Sequence, residues 1–190
     1  GPGVIDSTGA LALEALPDSI CIIGAGAIGL EFASLFNDFG ATVTVIEMMP
    51  RIAPLMDEAI SRGLDRALSG KGIDLRTNTR VSRVEHDGKQ CTVSMTKDGE
   101  EQKVTADVVL AAIGRSANIE NIGLEKLGIK ADRKGIQVDN RMRTALPHVY
   151  AIGDVAKDGP MLAHVASHQG IVAVEDAMGL TAYMEYNAVP

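Results

Sequence analysis

The feature that most constrains this 190-residue chain is a glycine-rich turn set between two different periodicities. Residues 20–23 are uniformly apolar, as in a strand buried on both faces, and Gly24-Ala25-Gly26-Ala27-Ile28-Gly29 follows directly. Over residues 30–39, Leu30, Ala33, Leu35 and Phe36 recur with helical spacing until Gly40 ends the pattern, and residues 43–46 form a second apolar strand. Strand, turn, helix and strand in so short a span predict two parallel strands joined by a right-handed crossover.

The three glycines have separate physical reasons. The first allows a tight turn, the second lets backbone approach a diphosphate, and the third lets helix and strand pack closely. A diphosphate then rests on the helix N-terminus, where unpaired N–H groups and the positive end of the dipole stabilise negative charge without Lys or Arg. G-x-G-x-x-G alone is weak evidence, but here Glu47 closes the next strand, 18 positions after Gly29. That is near the spacing expected of the carboxylate that accepts hydrogen bonds from an adenosine ribose; otherwise Glu47 is an ordinary solvated strand-end acid. A carboxylate there repels a 2′-phosphate, so the expected ligand is NAD rather than NADP. Arg51 is in reach of a phosphate by position, although a loop arginine is more often solvated or paired.

Beyond this unit, residues 57–68 read as a helix with Ile60, Leu64 and Leu68 on one face and Asp57 and Glu58 at its positive end. Residues 73–76 read as a third strand. Between 81 and 104 the period changes. Val81 and Val84, then Cys91, Val93 and Met95, then Val104 are separated by Asp87-Gly88 and Asp98-Gly99, which predicts an antiparallel meander. Residues 108–113 form another buried strand ending at Gly114-Arg115. The pattern then loosens to a short helix over 122–127, a short strand at Ile136 and Val138, and an apolar strand over 149–152 ending at Gly153-Asp154. A long helix over 161–178 begins after Pro160, and residues 7–16 are helical in pattern up to Pro17. The expected fold class is α/β: a Rossmann-like parallel sheet with an inserted antiparallel β-meander.

Composition excludes some functions. The net charge of −7, with no basic stripe, argues against nucleic acid, and no apolar run approaches the ~20 residues that span a bilayer. Cys21 and Cys91 lie in strand patterns without metal-type spacing, so buried free thiols are expected rather than a disulfide. Gly1-Pro2-Gly3 has the look of a protease-cleavage scar, and both natural termini are expected to lie beyond this chain.

A wider set of segments carries a resemblance. Ile5-Asp6-Ser7-Thr8-Gly9-Ala10-Leu11, the stretch from Ile23 through Gly29 to Leu30-Glu31, Val43-Thr44-Val45-Ile46-Glu47 and Ile113-Gly114-Arg115 occur in order. Tyr150-Ala151-Ile152-Gly153-Asp154-Val155, Pro160-Met161-Leu162-Ala163-His164 and Tyr186-Asn187-Ala188-Val189-Pro190 complete the series. Over nearly its whole length the chain resembles the middle of the pyridine-nucleotide disulfide oxidoreductases, in their dihydrolipoamide dehydrogenase branch.

The resemblance implies that Gly24, Ala25, Gly26, Ala27, Ile28, Gly29, Leu30, Glu31, Glu47, Val81 and Gly114 line an NAD site, with Val81 near the adenine and Glu31 pairing with a flavin-side Lys. It implies that Asp154 binds the ribityl chain of FAD, while Met161, Leu162, Ala163 and His164 present a helix N-terminus to the flavin, where positive dipole stabilises reduced-flavin charge. By the same likeness, residues 1–16 are a linker, 17–117 the NAD-binding Rossmann domain and 118–190 a central region that is an incomplete FAD domain. The intact enzyme would be a homodimer, serve a 2-oxo-acid dehydrogenase complex and reside in bacterial cytoplasm or the mitochondrial matrix.

There are departures. Val165 replaces the family's usual Lys, Ala117 its usual Pro, and Ala27 stands where some relatives carry an aromatic gate. The family's first FAD-binding glycine motif, its redox cysteine pair and its catalytic His and Glu have no counterpart, and none of His86, His148, His164 and His168 matches that His. No catalytic residue is therefore expected here, and the chain alone should not turn over dihydrolipoamide. Two alternatives stay open: a stand-alone NAD-binding module, and a same-family NADH oxidase or mercuric reductase. Exposed apolar surface is expected over residues 149–178, as on a segment built to meet a further sheet.

Overall fold

The computed structural model describes residues 1–157 and 159–189 and divides into two compact units, Gly1–Gly114 and Arg115–Pro190. Pro190, the last residue of the final matching segment, lies outside the described residues. The first unit runs β1 (Val4–Ile5), α1 (Ser7–Leu11), β2 (Ser19–Ile23), α2 (Ala27–Asp38), β3 (Thr42–Ile46), α3 (Glu58–Gly70), β4 (Asp74–Arg76), β5 (Thr79–His86), β6 (Cys91–Lys97), β7 (Glu100–Ala106) and β8 (Val108–Ala111). Five of these strands make a parallel sheet in the order β1-β8-β2-β3-β4, and β5-β6-β7 make a separate antiparallel sheet, which is the expected α/β class.

Ile23 pairs with Ile46 of β3 and with Ala111 of β8, so three strands end level. The chain leaves β2 toward β3 on one side while β8 returns on the other, and a crevice opens outside those carboxyl ends. The strands are continuous apolar runs because both faces are covered: Ile20, Ile22, Val43, Val45 and Leu110 are almost wholly removed from water. Each such side chain contributes about 1.5–3 kcal/mol on burial.

The helices differ from expectation in which face they bury. In α2 the buried residues are Gly29, Leu30, Ala33 and Phe36, whereas Leu35 is exposed, because Leu35 falls one step round the helix from the core stripe. In α3, capped by the Asp57 carboxylate accepting from the Ala59 N–H at 2.8 Å, Ile60 faces solvent. Its neighbour Ser61 is buried and donates its hydroxyl to the Ile52 carbonyl. A polar residue is tolerated there because a loop carbonyl needs a donor.

The meander turns at the two Asp-Gly pairs, and Cys91, Val93 and Met95 of β6 pack with Cys21 and Val109 in a second apolar cluster. Both cysteines are free and buried, and burial pushes the Cys21 thiol up to about 12. Thiolate chemistry is thereby suppressed.

The second unit holds two short antiparallel strands, β9 (Ala131–Asp132) and β10 (Gly135–Ile136), 3-10 turns at Glu125–Leu127 and Gly153–Val155, and one long helix, α4 (Ala163–Ala177). Residues 149–152 do not form the expected strand. Tyr150 makes one isolated antiparallel bridge to Arg143, and Ala151 donates its N–H to the Met142 carbonyl at 3.1 Å. On α4 and its flanks Ile152, Ile171, Val174 and Met178 are exposed, which agrees with the apolar surface anticipated for this stretch.

Asp176 pins this unit. Its carboxylate, 1% exposed, accepts from Arg143 Nε and Nη2, from Arg141 Nη1 at 3.2 Å and from the Tyr150 hydroxyl at 2.8 Å. The Arg143 hydrogen bonds, then those of Tyr150 and Arg141, hold its carboxyl below the usual carboxylate range. A depressed folded value means the stabilisation is present above the ordinary carboxylate pKa and lost as pH falls through the folded value. Asp176→Ala should therefore lower the melting midpoint of residues 115–190 at pH 7 by on the order of 10 °C. In melts followed by circular dichroism, the gap from the parent should narrow as pH drops below about 4.

Candidate functional site

The crevice at the ends of β2, β3 and β8 is an open cleft of ≈ 410 Å³ lined by Gly24 and Gly26, by Glu47 and the following methionines, by residues 79–81, and by residues 112–114. Of the residues singled out in the sequence, Gly24, Gly26, Glu47, Val81 and Gly114 thus share one wall. Ala25 is buried behind that wall, and Ile28 and Gly29 lie in the first turns of α2. Ala27, Leu30 and Glu31 border a neighbouring apolar groove that also touches Gly26. Glu31 is exposed and makes no ion pair among the described residues.

Each glycine of the turn does a different job, legible from what a side chain would meet. At Gly24, φ is +104°, and a Cβ would lie 2.4 Å from the Ala112 carbonyl oxygen, so both conformation and space demand glycine. At Gly29 a Cβ would lie 2.0 Å from the Gly24 carbonyl oxygen: this residue lets the helix close onto the turn. At Gly26 a Cβ would meet nothing within 4 Å. The protein leaves that space open at the N-cap of α2, where no side chain caps the first amides. A diphosphate fits such a place, since those N–H groups lack acceptors and the helix dipole points at them.

Glu47 is not the solvated strand-end acid of the simpler reading. It is 8% exposed; Oε2 accepts from the Ala25 N–H and Oε1 from the Met49 N–H, each at 2.8 Å. The same carboxylate that closes β3 therefore fixes the glycine-rich turn, and each of its oxygens keeps a further lone pair. Backbone bonds tie β5 to this corner, from the Thr79 N–H to the Glu47 carbonyl at 2.9 Å and from the Asn78 N–H to the Met49 carbonyl at 3.0 Å. Arg51 is committed elsewhere: its Nη2 donates to the carbonyls of Pro54 and Met56 at 3.2 and 3.4 Å.

The flavin-type candidates lie in the second unit. Asp154 sits in the 3-10 turn and is ion-paired with Arg115 at 2.7 Å, both groups partly exposed. Met161, Leu162, Ala163 and His164 are exposed at the start of α4, whose N-cap Leu162 offers no side-chain cap, so the amides there are also open to a ligand. The turn is held from behind by Gln169, almost wholly buried, whose Oε1 accepts from the Gly153 N–H at 2.6 Å while its Nε2 donates to the Tyr186 hydroxyl at 2.9 Å.

Sequence reasoning gave no role to Gln169, Arg115, Arg80 or the two methionines after Glu47. For Gln169 the available signal was a polar residue on the buried stripe of α4.

A parallel sheet of this order, with a glycine-lined crevice at its carboxyl edge, defines a Rossmann-type α/β protein. The family model described as pyridine nucleotide-disulphide oxidoreductase matches residues 2–170, and the chain belongs to that family. It is 41% identical over 192 residues to the mitochondrial dihydrolipoyl dehydrogenase of Mus musculus, covering 98% of this chain and 38% of that protein. It is 44% identical over 172 residues to the dihydrolipoyl dehydrogenase of Rhizobium etli, covering 90% and 36%. The chain thus spans well under half the length of these curated relatives. Among solved structures it is similar to the HOCl-induced flavoprotein disulfide reductase RclA of Escherichia coli in its Cu(II) complex, with a TM-score of 0.87 at 31% identity over 96% of this chain and 41% of that one. It is also similar to the NAD-dependent persulfide reductase of A. fulgidus, with a TM-score of 0.82 at 31% identity over 96% and 36%.

Proposed function

We propose that this chain is the NAD-binding portion of a flavin-dependent dihydrolipoyl dehydrogenase, the part that receives the nicotinamide coenzyme while hydride passes between FAD and NAD. The observation that carries the reading is the conjunction at one corner: open space at Gly26 over uncapped helix amides, beside a buried carboxylate that already holds the turn. Identity of 41–44% to dihydrolipoyl dehydrogenases supports that branch over the flavoprotein and persulfide reductases, which the chain matches at 31%.

When bound, the nicotinamide supplies hydride acceptance and the flavin relays electrons from a dithiol. The residues of this chain supply placement. The α2 amides neutralise the diphosphate, Glu47 accepts from the adenosine ribose, and Val81 and Gly114 border the same cleft. In the second unit Asp154 would exchange its Arg115 partner for ribityl hydroxyls, and Met161, Leu162, Ala163 and His164 would meet the flavin edge. Dithiol chemistry needs accessible thiolates, and Cys21 and Cys91 are buried, with burial pushing both thiols up from their ordinary range. The remaining length of the protein, a second copy of it and a 2-oxo-acid dehydrogenase complex would be the partners.

Calorimetric titration of the chain with NAD and NADP tests the reading. NAD should bind, and NADP at least about tenfold more weakly, because a 2′-phosphate meets the Glu47 carboxylate. Equal affinities, or no NAD binding, would refute it.

A further inference from the structure

We infer that Gln169 is a positioning residue for the flavin: its buried amide sets the spacing between the Asp154 carboxylate and the open amides that begin α4. The inference rests on the flavin-dependent reading above. Ala163 opens α4, and Gln169 follows it by less than two turns. Side chains on a helix lean toward its N-terminus, so the amide reaches back to the open end, where Oε1 accepts from the Gly153 N–H at 2.6 Å. Gln169 thus belongs by its backbone to the helix and by its side chain to the turn that carries Asp154.

The turn has little freedom elsewhere. Gly153 sits at φ +71°, and its carbonyl accepts from the Ala156 N–H at 2.9 Å. On the far side Ile136 bridges Ala156, and Lys157 donates its N–H to the Ile136 carbonyl at 2.9 Å. A Cβ on Gly135 would lie 2.5 Å from the Val155 carbonyl oxygen, so the β9–β10 hairpin lies directly against the turn. The hairpin fixes one flank and Gln169 the other. What stays free to change partner is the Asp154 side chain, partly exposed and paired with Arg115.

The direction of the amide is determined as well. Gly153 offers a donor, so only the carbonyl end can face it, and Nε2 is left to donate to the Tyr186 hydroxyl at 2.9 Å. Turning the amide over would set two donors against each other at Gly153. Gln169 is 1% exposed, on the stripe that also buries Val165, Val172 and Ala173. An apolar side chain there would leave the Gly153 N–H without its acceptor and the Asp154 turn free to shift against α4.

The test uses the full-length protein, stripped of flavin and titrated with FAD by fluorescence, as the parent and as Gln169→Met and Gln169→Glu. Methionine fills a similar volume without a strong acceptor for Gly153, and should weaken FAD by about tenfold or more with NAD affinity unchanged. Glutamate keeps an acceptor for the Gly153 N–H in either protonation state. That variant should hold FAD within about threefold of the parent while melting lower, because a charge or its neutralisation is imposed on a buried place. Affinity then follows the Gly153 bond rather than the melting midpoint. Unchanged FAD affinity in Gln169→Met, or an equal loss in Gln169→Glu, would overturn the inference. If Gln169→Met fails to fold, Tyr186→Phe replaces it: loss of the phenol releases Nε2, lets the amide rotate and should weaken FAD by about threefold to tenfold. Parent affinity in that variant would overturn the inference equally. A parent that takes up no FAD sinks the flavin reading instead.

Discussion

Gly26→Val should weaken NAD binding by at least about a hundredfold while leaving the fold intact. At φ −76° and ψ −177° the Gly26 backbone is extended, a conformation valine adopts readily, and a Cβ at this position meets no protein atom within 4 Å. The cost to folding is confined to a poorer N-cap, about 1 kcal/mol. The branched side chain instead fills the space over the α2 amides where the diphosphate would rest, so the loss falls on the ligand. Calorimetry with NAD, set beside a thermal melt, separates the two effects; unchanged affinity would remove the diphosphate from this turn. Gly29 supplies the contrast. There the Cβ is opposed by backbone at 2.0 Å, and the same kind of substitution damages folding first.

That contrast shows which parts of the molecule were legible from residues alone. The first crossover could be read because every level agrees on it: apolar strands, turn glycines, helical spacing and a terminal acid all specify one geometry. The meander could be read because Asp-Gly pairs fix both turns and the buried positions alternate. By contrast, β1 has two residues and is defined by the β8 edge it joins, with Val4 opposite Val109, so no local period announces it. Helical spacing puts Leu35 and Ile60 on the apolar faces, yet α2 and α3 bury only narrow stripes, and both positions fall outside them. Residues 149–152 have the composition of a strand, but in the second unit only Tyr150 finds a bridging partner, and its hydroxyl is drawn to Asp176.

At the candidate site, the sequence pointed to Glu47 and to the glycines but was blind to the link between them. Nothing in a linear reading joins a carboxylate to an amide 22 positions earlier. The pull of Arg51 toward two carbonyls is equally invisible, which is why a cation that is suitably placed along the chain is unsuitably placed in space. Arg80 lies in the meander, far from the glycine motif in sequence, and only the backbone bonds from residues 78 and 79 to 47 and 49 bring it to the cleft.

Glu47→Gln, close to isosteric, should lower both stability and coenzyme discrimination, and the reason lies in the two amides that the carboxylate serves. A carboxylate accepts at both oxygens, so it satisfies the Ala25 and Met49 N–H groups together. A carboxamide has one accepting oxygen, and its NH2 group must then face an N–H that it cannot bond. Leaving one buried donor unmet costs about 1–3 kcal/mol, seen as a lower denaturation midpoint without ligand. The change also removes the charge opposing a 2′-phosphate. Unit charges 5 Å apart repel by about 3 kcal/mol at an effective dielectric near 20, so relieving that repulsion should narrow the NAD-over-NADP preference by roughly tenfold to a hundredfold. Glu47→Arg goes further, placing a cation where the acid stood, and should invert the preference while losing both loop bonds. Ratios of calorimetric affinities for the two coenzymes decide the matter independently of stability. If both variants kept the parent ratio while both melted lower, Glu47 would be a brace for the turn and the ribose would be held elsewhere.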